Sequence, residues 1–345
     1  MHKGSWQALA SKHLRSSSFS RLKMALIADE LTSACLAREC RVTNITPRSG
    51  PFVLKLWRPD ILFVESSWHG WKESWKYKIA AYPDHPERTN EALRQLVETA
   101  KARGVPVIFW NREDGVHFDR FIESARLFDV IFTVDEAMIP RYQEIVGSNV
   151  PVQVMMFAVQ PRLHGPTVIE PARRAAFVGS YNSEIHPQRR VWQEMMLDAV
   201  EPIGLTIFDR NSARRNQKYR IPQRPWIDVR EAISHSATAQ VYRSHIANLN
   251  INTIENSPTA FSRRLVEILA CGGLAVTNPT LAVERLFADY CTVVREEAEA
   301  RDLFAQLAKD GLSPHQKEMT RAAADYVLHC HTWMHRLEQI AAVCG

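Results

Sequence analysis

Short apolar runs that end in polar residues recur along the whole chain, with helical periodicity between them. Residues 23–29, 41–46, 61–65, 105–110, 128–134 and 150–157 are the first six such runs. Apolar runs this short, bounded by turn residues, read as buried strands. Between them, 87–103 places Leu93, Leu96, Val97 and Ala100 on one helical face and stops at Gly104. A second helix over 139–146 stops at Gly147, as glycine after a helix favours. Strand alternating with helix implies parallel sheets with both faces covered, an α/β protein.

Six strands by residue 157 complete one doubly wound domain. Residues 160–173 hold three prolines and little periodicity, and read as a linker. A second series then begins, with strands at 175–179, 204–209, 246–251, 274–277 and 291–294. Helices are expected at 185–200, 237–244, 282–287 and 298–309, with a helical tail over 313–343. Residues 212–230 are basic, proline-broken and read as irregular. The 345 residues suffice for two domains. The expected division is a frayed start at 1–22, domains at 23–160 and 174–330 joined by a linker at 161–173, and a last helix at 331–345.

Composition narrows the functional classes. No apolar run reaches membrane-span length, and the basic, serine-rich start has no apolar core of the secretory kind. Six cysteines without CxxC or zinc spacing read as reduced thiols of a cytoplasmic protein. The net charge of +5 reads as a solvated basic surface, with peripheral contact to a membrane the less favoured reading. It is too small, and too poor in basic–aromatic motifs, for a nucleic-acid binder.

The chemistry concentrates in 251–279. Pro258 keeps the loop 256–259 from being helical throughout, and Thr259 or Ser262 is placed to cap the helix that follows. That helix opens on Arg263 and Arg264 and buries Leu265, Val266, Ile268 and Leu269. A helix N-terminus with two arginines suits an anion. Glu267, one turn on, suits sugar hydroxyls; diphosphate plus ribose is a nucleotide sugar. A Gly179-Ser180-Tyr181 turn after a strand admits close approach of a phosphate to the backbone. Salt bridging of Glu267 to the arginines is the plainer reading of the same spacing.

In the first domain, the loop 66–75 holds Trp68, Trp71, Trp75 and His69. Trp68 and Trp71 are candidate acceptor platforms, with core packing the equal alternative. Glu113, Asp114 and His117 follow a strand exit and are, with His69, the candidate general bases. The plainer reading makes Asp114 a helix cap and pairs Glu113 with Arg112.

These residues fall into motifs that resemble the CgeB-like (spore maturation protein type) bacterial glycosyltransferases. They are Asp29-Glu30, FVESSWHG at 63–70, FWNREDGVHF at 109–118, AFVGSY at 176–181, Asp209-Arg210-Asn211, Tyr219-Arg220-Ile221-Pro222, NSPTAFSRRLVEILACG at 256–272 and HTWMHRL at 331–337. The resemblance implies the GT-B fold: two Rossmann-like doubly wound domains with an interdomain cleft, and a last helix returning to the N-terminal domain. It implies a nucleoside diphosphate sugar donor, UDP-sugar favoured, bound by Gly179, Ser180, Tyr181, Arg210, Tyr219, Arg220, Thr259, Phe261, Ser262, Arg263, Arg264 and Glu267. Arg264 and the backbone N–H groups near Phe261 and Ser262 would meet the diphosphate, and Glu267 the ribose. Many related enzymes carry a second acid eight positions before that glutamate; here the position is Thr259. The acceptor would be a glycan, lipid-linked or protein hydroxyl, with no metal and no cofactor. A non-hydrolysing UDP-sugar epimerase or a non-catalytic sugar-nucleotide-binding protein would use the same architecture.

Overall fold

The computed structural model describes residues 18–344. The expectation of a frayed start falls, through residue 17, outside the described residues. The chain divides into two units. The first comprises the described residues up to Gln160, then Ser257–Ala260, then the described residues from Trp333; the second comprises Pro161–Asn256 and Phe261–Thr332.

The first unit holds β1 (Lys23–Ile27), β2 (Arg41–Asn44), β3 (Ile61–Glu65), β4 (Val107–Asn111), β5 (Val130–Thr133) and β6 (Val152–Val154). They form one sheet in the order β2-β1-β3-β4-β5-β6, every pair parallel. Helices α1 (Glu30–Leu36), α2 (Glu91–Lys101), α3 (Phe118–Ala125) and α4 (Ile139–Val146) follow their strands. Leu93, Leu96, Val97 and Ala100 pack into the core with Ile27, Leu62, Val64, Phe109 and Ile131. Strand order reverses between β1 and β3, which places the sheet's ligand-binding edge where Asp29 and Glu65-Ser66-Ser67 emerge.

The second unit holds β7 (Ala172–Gly179), β8 (Leu205–Asp209), β9 (Ile227–Arg230), β10 (His245–Asn250), β11 (Ala275–Thr277) and β12 (Thr292–Val293). The order β12-β11-β10-β7-β8-β9 is that of a Rossmann sheet, reversing between β7 and β10. Its helices are α5 (Pro187–Ala199), α6 (His235–Ser244), α7 (Arg263–Ala270), α8 (Leu281–Leu286), α9 (Glu297–Asp310) and α10 (Pro314–Cys330). Phe177, Leu205, Ile207, Leu249 and Val276 form its core with Met196, Val200, Phe304 and Leu307. Ser313 opens α10 with a reciprocal capping box to Gln316. The last helix, α11 (Trp333–Cys344), belongs to the first unit, where Trp333 meets Trp110 edge-on at 5.5 Å.

Three features depart from the sequence reading. β9 lies inside the stretch read as irregular; its four residues are half-buried or exposed at a sheet edge, so no apolar run marks them. The residues read as a linker at 161–173 already belong to the second unit. β7 begins at Ala172, and His164 is buried with its Nε2 2.9 Å from Thr238 Oγ1. Finally, the span 174–330 is interrupted, because Ser257–Ala260 cluster with the first unit. Among the described residues, no helix is long and apolar enough to cross a membrane.

Candidate active site

In the second unit, the strand-order reversal brings the end of β7 beside the start of α7. Arg264 donates from Nε to the Val178 carbonyl at 2.7 Å, and its guanidinium lies 4.8 Å from the Phe177 ring centroid. Its Nη1 is buried with no hydrogen-bond partner. Burial, with Arg189 and Arg210 nearby, pushes the Arg264 pKa down to about 10. Arg189 reaches the Ser180 carbonyl at 3.2 Å, and the Arg210 N–H donates to the Gly179 carbonyl at 2.9 Å. A buried, unsatisfied guanidinium flanked by two arginines is a site that gains from an anion. Arg189 is the member that the sequence reading missed; its signal is the Arg189-Arg190 pair just after the Pro187 helix start.

Glu267 is buried one turn into α7. Its Oε1 lies 3.0 Å from Arg263 Nε and 2.8 Å from His235 Nε2, and Tyr242 donates to Oε2 at 3.4 Å. Burial opposes its charge, but His164, Arg263 and His235 outweigh it and hold the carboxyl well below the usual range. Burial in turn pushes His164 down to about 4, leaving its imidazole neutral at pH 7. His164, His235 and Glu267 bring their ligand atoms within 4.8 Å of one another, a set of metal-ligand type. Arg263 already sits on Oε1, so a dication there would meet a guanidinium at close range.

Several of the expected donor residues are engaged within the protein. Thr259 commits its hydroxyl to the first unit, donating to the Val134 carbonyl at 2.9 Å and accepting from the Glu136 N–H at 2.8 Å. The Phe261 side chain is core, 4.9 Å from the Phe287 ring. The Ser262 N–H already donates to Asn252 Oδ1 at 2.7 Å, so it is not held open for an anion, and its hydroxyl makes no cap bond. A Cβ on Gly179 would meet the Phe177 ring at 2.3 Å, so the turn has space for glycine alone. Tyr181 is buried and donates to Glu194 at 2.6 Å. Tyr219 lies under the Arg214 guanidinium at 4.6 Å, and burial raises the pKa of Asp209 at the end of β8 against the opposing charge of the exposed Arg220.

In the first unit, the strand-order reversal gathers acids. Glu65 lies 2.7 Å from Arg112 Nε, Asp29 pairs with Arg112 Nη2, and Ser67 donates to Asp29 at 3.0 Å. Burial works against the Arg112 charge, but Glu65, Asp29 and Glu113 raise its pKa above the ordinary arginine value. Glu113 keeps 25% of its side chain exposed and accepts from Trp68 Nε1 at 3.3 Å. Asp114, the first choice as base from the sequence, is only 1% exposed. It accepts from Asn111 Nδ2 at 2.7 Å and from the Tyr142 hydroxyl at 2.9 Å, and burial raises its pKa to about 7. His117 occupies the N-cap position of α3 and meets the Trp68 ring edge-on at 5.2 Å; burial lowers its pKa. His69 is exposed, 3.5 Å from Glu73. Trp68 also packs edge-on against Tyr82 and Phe121, whereas Trp71 is half-exposed with the Lys72 ammonium 5.7 Å from its ring.

Residues 172–342 match a family described as glycosyl transferase-like. That part of the chain is a glycosyltransferase family domain. The chain's two sheets have the GT-B architecture, and solved structures share it. A HepE from Anabaena in complex with UDP-glucose is 12% identical with a TM-score of 0.56, covering 90% of this chain and 88% of its own. Sucrose-phosphate synthase from Thermosynechococcus elongatus is 12% identical with a TM-score of 0.52, covering 94% and 99%. A UDP-forming α,α-trehalose-phosphate synthase from Burkholderia vietnamiensis is 9% identical with a TM-score of 0.50, covering 86% and 76%. At these identities the likeness is one of fold. No curated protein is significantly similar to the chain in sequence.

Proposed function

We propose that this chain is a glycosyltransferase of the CgeB-like type that moves a sugar from a nucleoside diphosphate sugar to an acceptor hydroxyl on a glycan, lipid-linked saccharide or protein. The observation that carries the reading is Arg264: a buried guanidinium with an unpartnered Nη1, beside Arg189 and Arg210, at the reversal point of a Rossmann sheet. A diphosphate leaving group develops charge where these donors stand, and fixed donors in a dry site stabilise it strongly. Glu267, ionised and acceptor-only, suits ribose hydroxyls. UDP is the favoured nucleotide, since structures of the Anabaena relative hold UDP and UDP-glucose. With the arginines and the α7 dipole placed for the leaving group, the transfer is proposed to run without a metal.

Glu113 replaces Asp114 as the proposed base for an inverting reaction, because it alone of the two is open to solvent while ionisable groups and Trp68 orient it. The acceptor hydroxyl would give its proton to Glu113 as its oxygen bonds to the anomeric carbon and the diphosphate leaves.

Melting curves against UDP-, GDP-, dTDP- and CMP-sugars test the donor; a ligand at 100 times its Kd raises stability by about 2.7 kcal/mol. Nucleotide release by the parent and by Arg264→Ala then tests the site. No shift with any nucleotide sugar, together with unchanged release in the variant, would sink the reading. Epimerised donor without acceptor would identify an epimerase instead.

A further inference from the structure

Between β2 and β3, Gly50–Phe52 and Val53–Trp57 run on as one short helical stretch, the second part wound as a π-helix. The Arg58 N–H closes it on the Val53 carbonyl at 3.3 Å, and Arg58 ends it at a left-handed φ of 51°. The inner side is fixed to the first core. Leu54 is 1% exposed, and a Cβ on Gly50 would meet the Leu96 side chain at 2.5 Å. Trp57 is held by Lys23, whose ammonium donates to its carbonyl at 3.0 Å.

The outer side is apolar where solvent should favour polar residues. Phe52 is 67% exposed and Leu56 76%, the two most exposed large hydrophobics among the described residues. Arg48, Lys55 and Arg58 lie on the same stretch of chain, all exposed, with no carboxylate paired to any of the three among the described residues. The nearby acid, Asp60, accepts instead from the Lys23 backbone N–H at 2.7 Å. Exposed apolar side chains interspersed with unpaired cations match the boundary between acyl chains and anionic headgroups. A second copy of the chain is a poorer occupant: a two-fold contact through this face would set Arg48, Lys55 and Arg58 against their own copies.

We infer that this stretch is a membrane-contact surface, with Phe52 and Leu56 entering the headgroup region of an anionic bilayer and Arg48, Lys55 and Arg58 lying at its phosphates. Two inserted side chains make the contact reversible. The inference stands independently of the proposed reaction, because binding needs no turnover.

Flotation of the full chain with vesicles tests it. Binding is expected to vesicles of phosphatidylcholine mixed with phosphatidylglycerol, not to phosphatidylcholine alone, and to weaken as salt rises. The double variant Phe52→Glu, Leu56→Glu should abolish it. The triple variant Arg48→Gln, Lys55→Gln, Arg58→Gln should lower it about a hundredfold, at roughly fivefold per basic residue. Arg103→Gln, at an exposed arginine in the turn after α2, should leave it unchanged. All variants alter exposed side chains, so unchanged melting curves certify the fold. Equal binding by the parent and the double variant overturns the inference. So does binding that disappears when residues 2–17 are deleted with the patch intact. A parent dimer that the double variant dissociates, with no vesicle binding, assigns the face to self-association instead.

Discussion

The two sheets carry opposite charge at the same architectural position. Where strand order reverses in the first unit, Asp29, Glu65 and Glu113 gather around one arginine, Arg112, while Asp114 is held by Asn111 and Tyr142. Where it reverses in the second, Arg189, Arg210 and Arg264 gather near Gly179 and Ser180, with Glu267 balanced by Arg263 and His235. The backbone rule that sends ligands to such points is indifferent to chemistry. On the proposed reading the side chains divide the labour, the acidic edge taking a proton and the basic edge holding a leaving group.

Breaking the basic edge should have the largest effect. Arg264→Ala is expected to lower kcat/KM about a thousandfold, the range of one lost transition-state donor. Arg264→Lys should restore only part of that, since an ammonium lacks the planar fork; full activity in either variant would end the idea that the second sheet binds the diphosphate. On the acidic edge, Glu113→Gln should lower kcat by about a hundredfold or more, as for removal of a general base. Asp114→Asn should cost less than about tenfold, the buried carboxyl acting only by position. The reverse ranking in steady-state kinetics would return Asp114 to the role of base.

Asp114 also carries a pH signature. Because burial raises the Asp114 pKa to about 7 from an ordinary 3.8, the folded chain holds a proton that the unfolded chain releases. Its contribution to stability is therefore complete below about pH 4 and falls as pH rises through 7, by a few kcal/mol at most. Denaturant unfolding of Asp114→Asn should show a flatter stability profile across that window than the parent. The smallest effect is expected at Gly179→Ala, where the added methyl meets the Phe177 ring and costs about 1–3 kcal/mol. A melting temperature equal to the parent's would show that the ring yields freely.

Much of this contrast is local in sequence and was legible there. Apolar runs and glycine stops mark β1, β3, β4, β5 and α2, and Arg263-Arg264 opening a helix marks the basic edge. What was not legible depends on distant partners. Thr259 looks like a donor-site residue until its hydroxyl is seen to bond Val134, 125 positions away. Ser262 looks open until Asn252 takes its N–H. Asp114 and Glu113 are neighbours with the same chemistry, and Asp114 is the one that Tyr142, from α4, joins with Asn111 to enclose. β9 escapes because an edge strand of four residues need not be apolar.

The course of the chain between its units bears on how the protein is made. Trp333 donates its N–H to Val159 at 3.0 Å, and Arg336 reaches the Met156 carbonyl at 2.8 Å across 180 residues. At about 5–20 residues per second, the ribosome releases the first sheet well before the helix that finishes its unit. The second unit is translated during that interval, so the first waits on it with Trp110 unsheltered by Trp333. A chaperone that binds exposed aromatics would find its window there, and gene fusions that split the chain near residue 160 would leave that window permanently open.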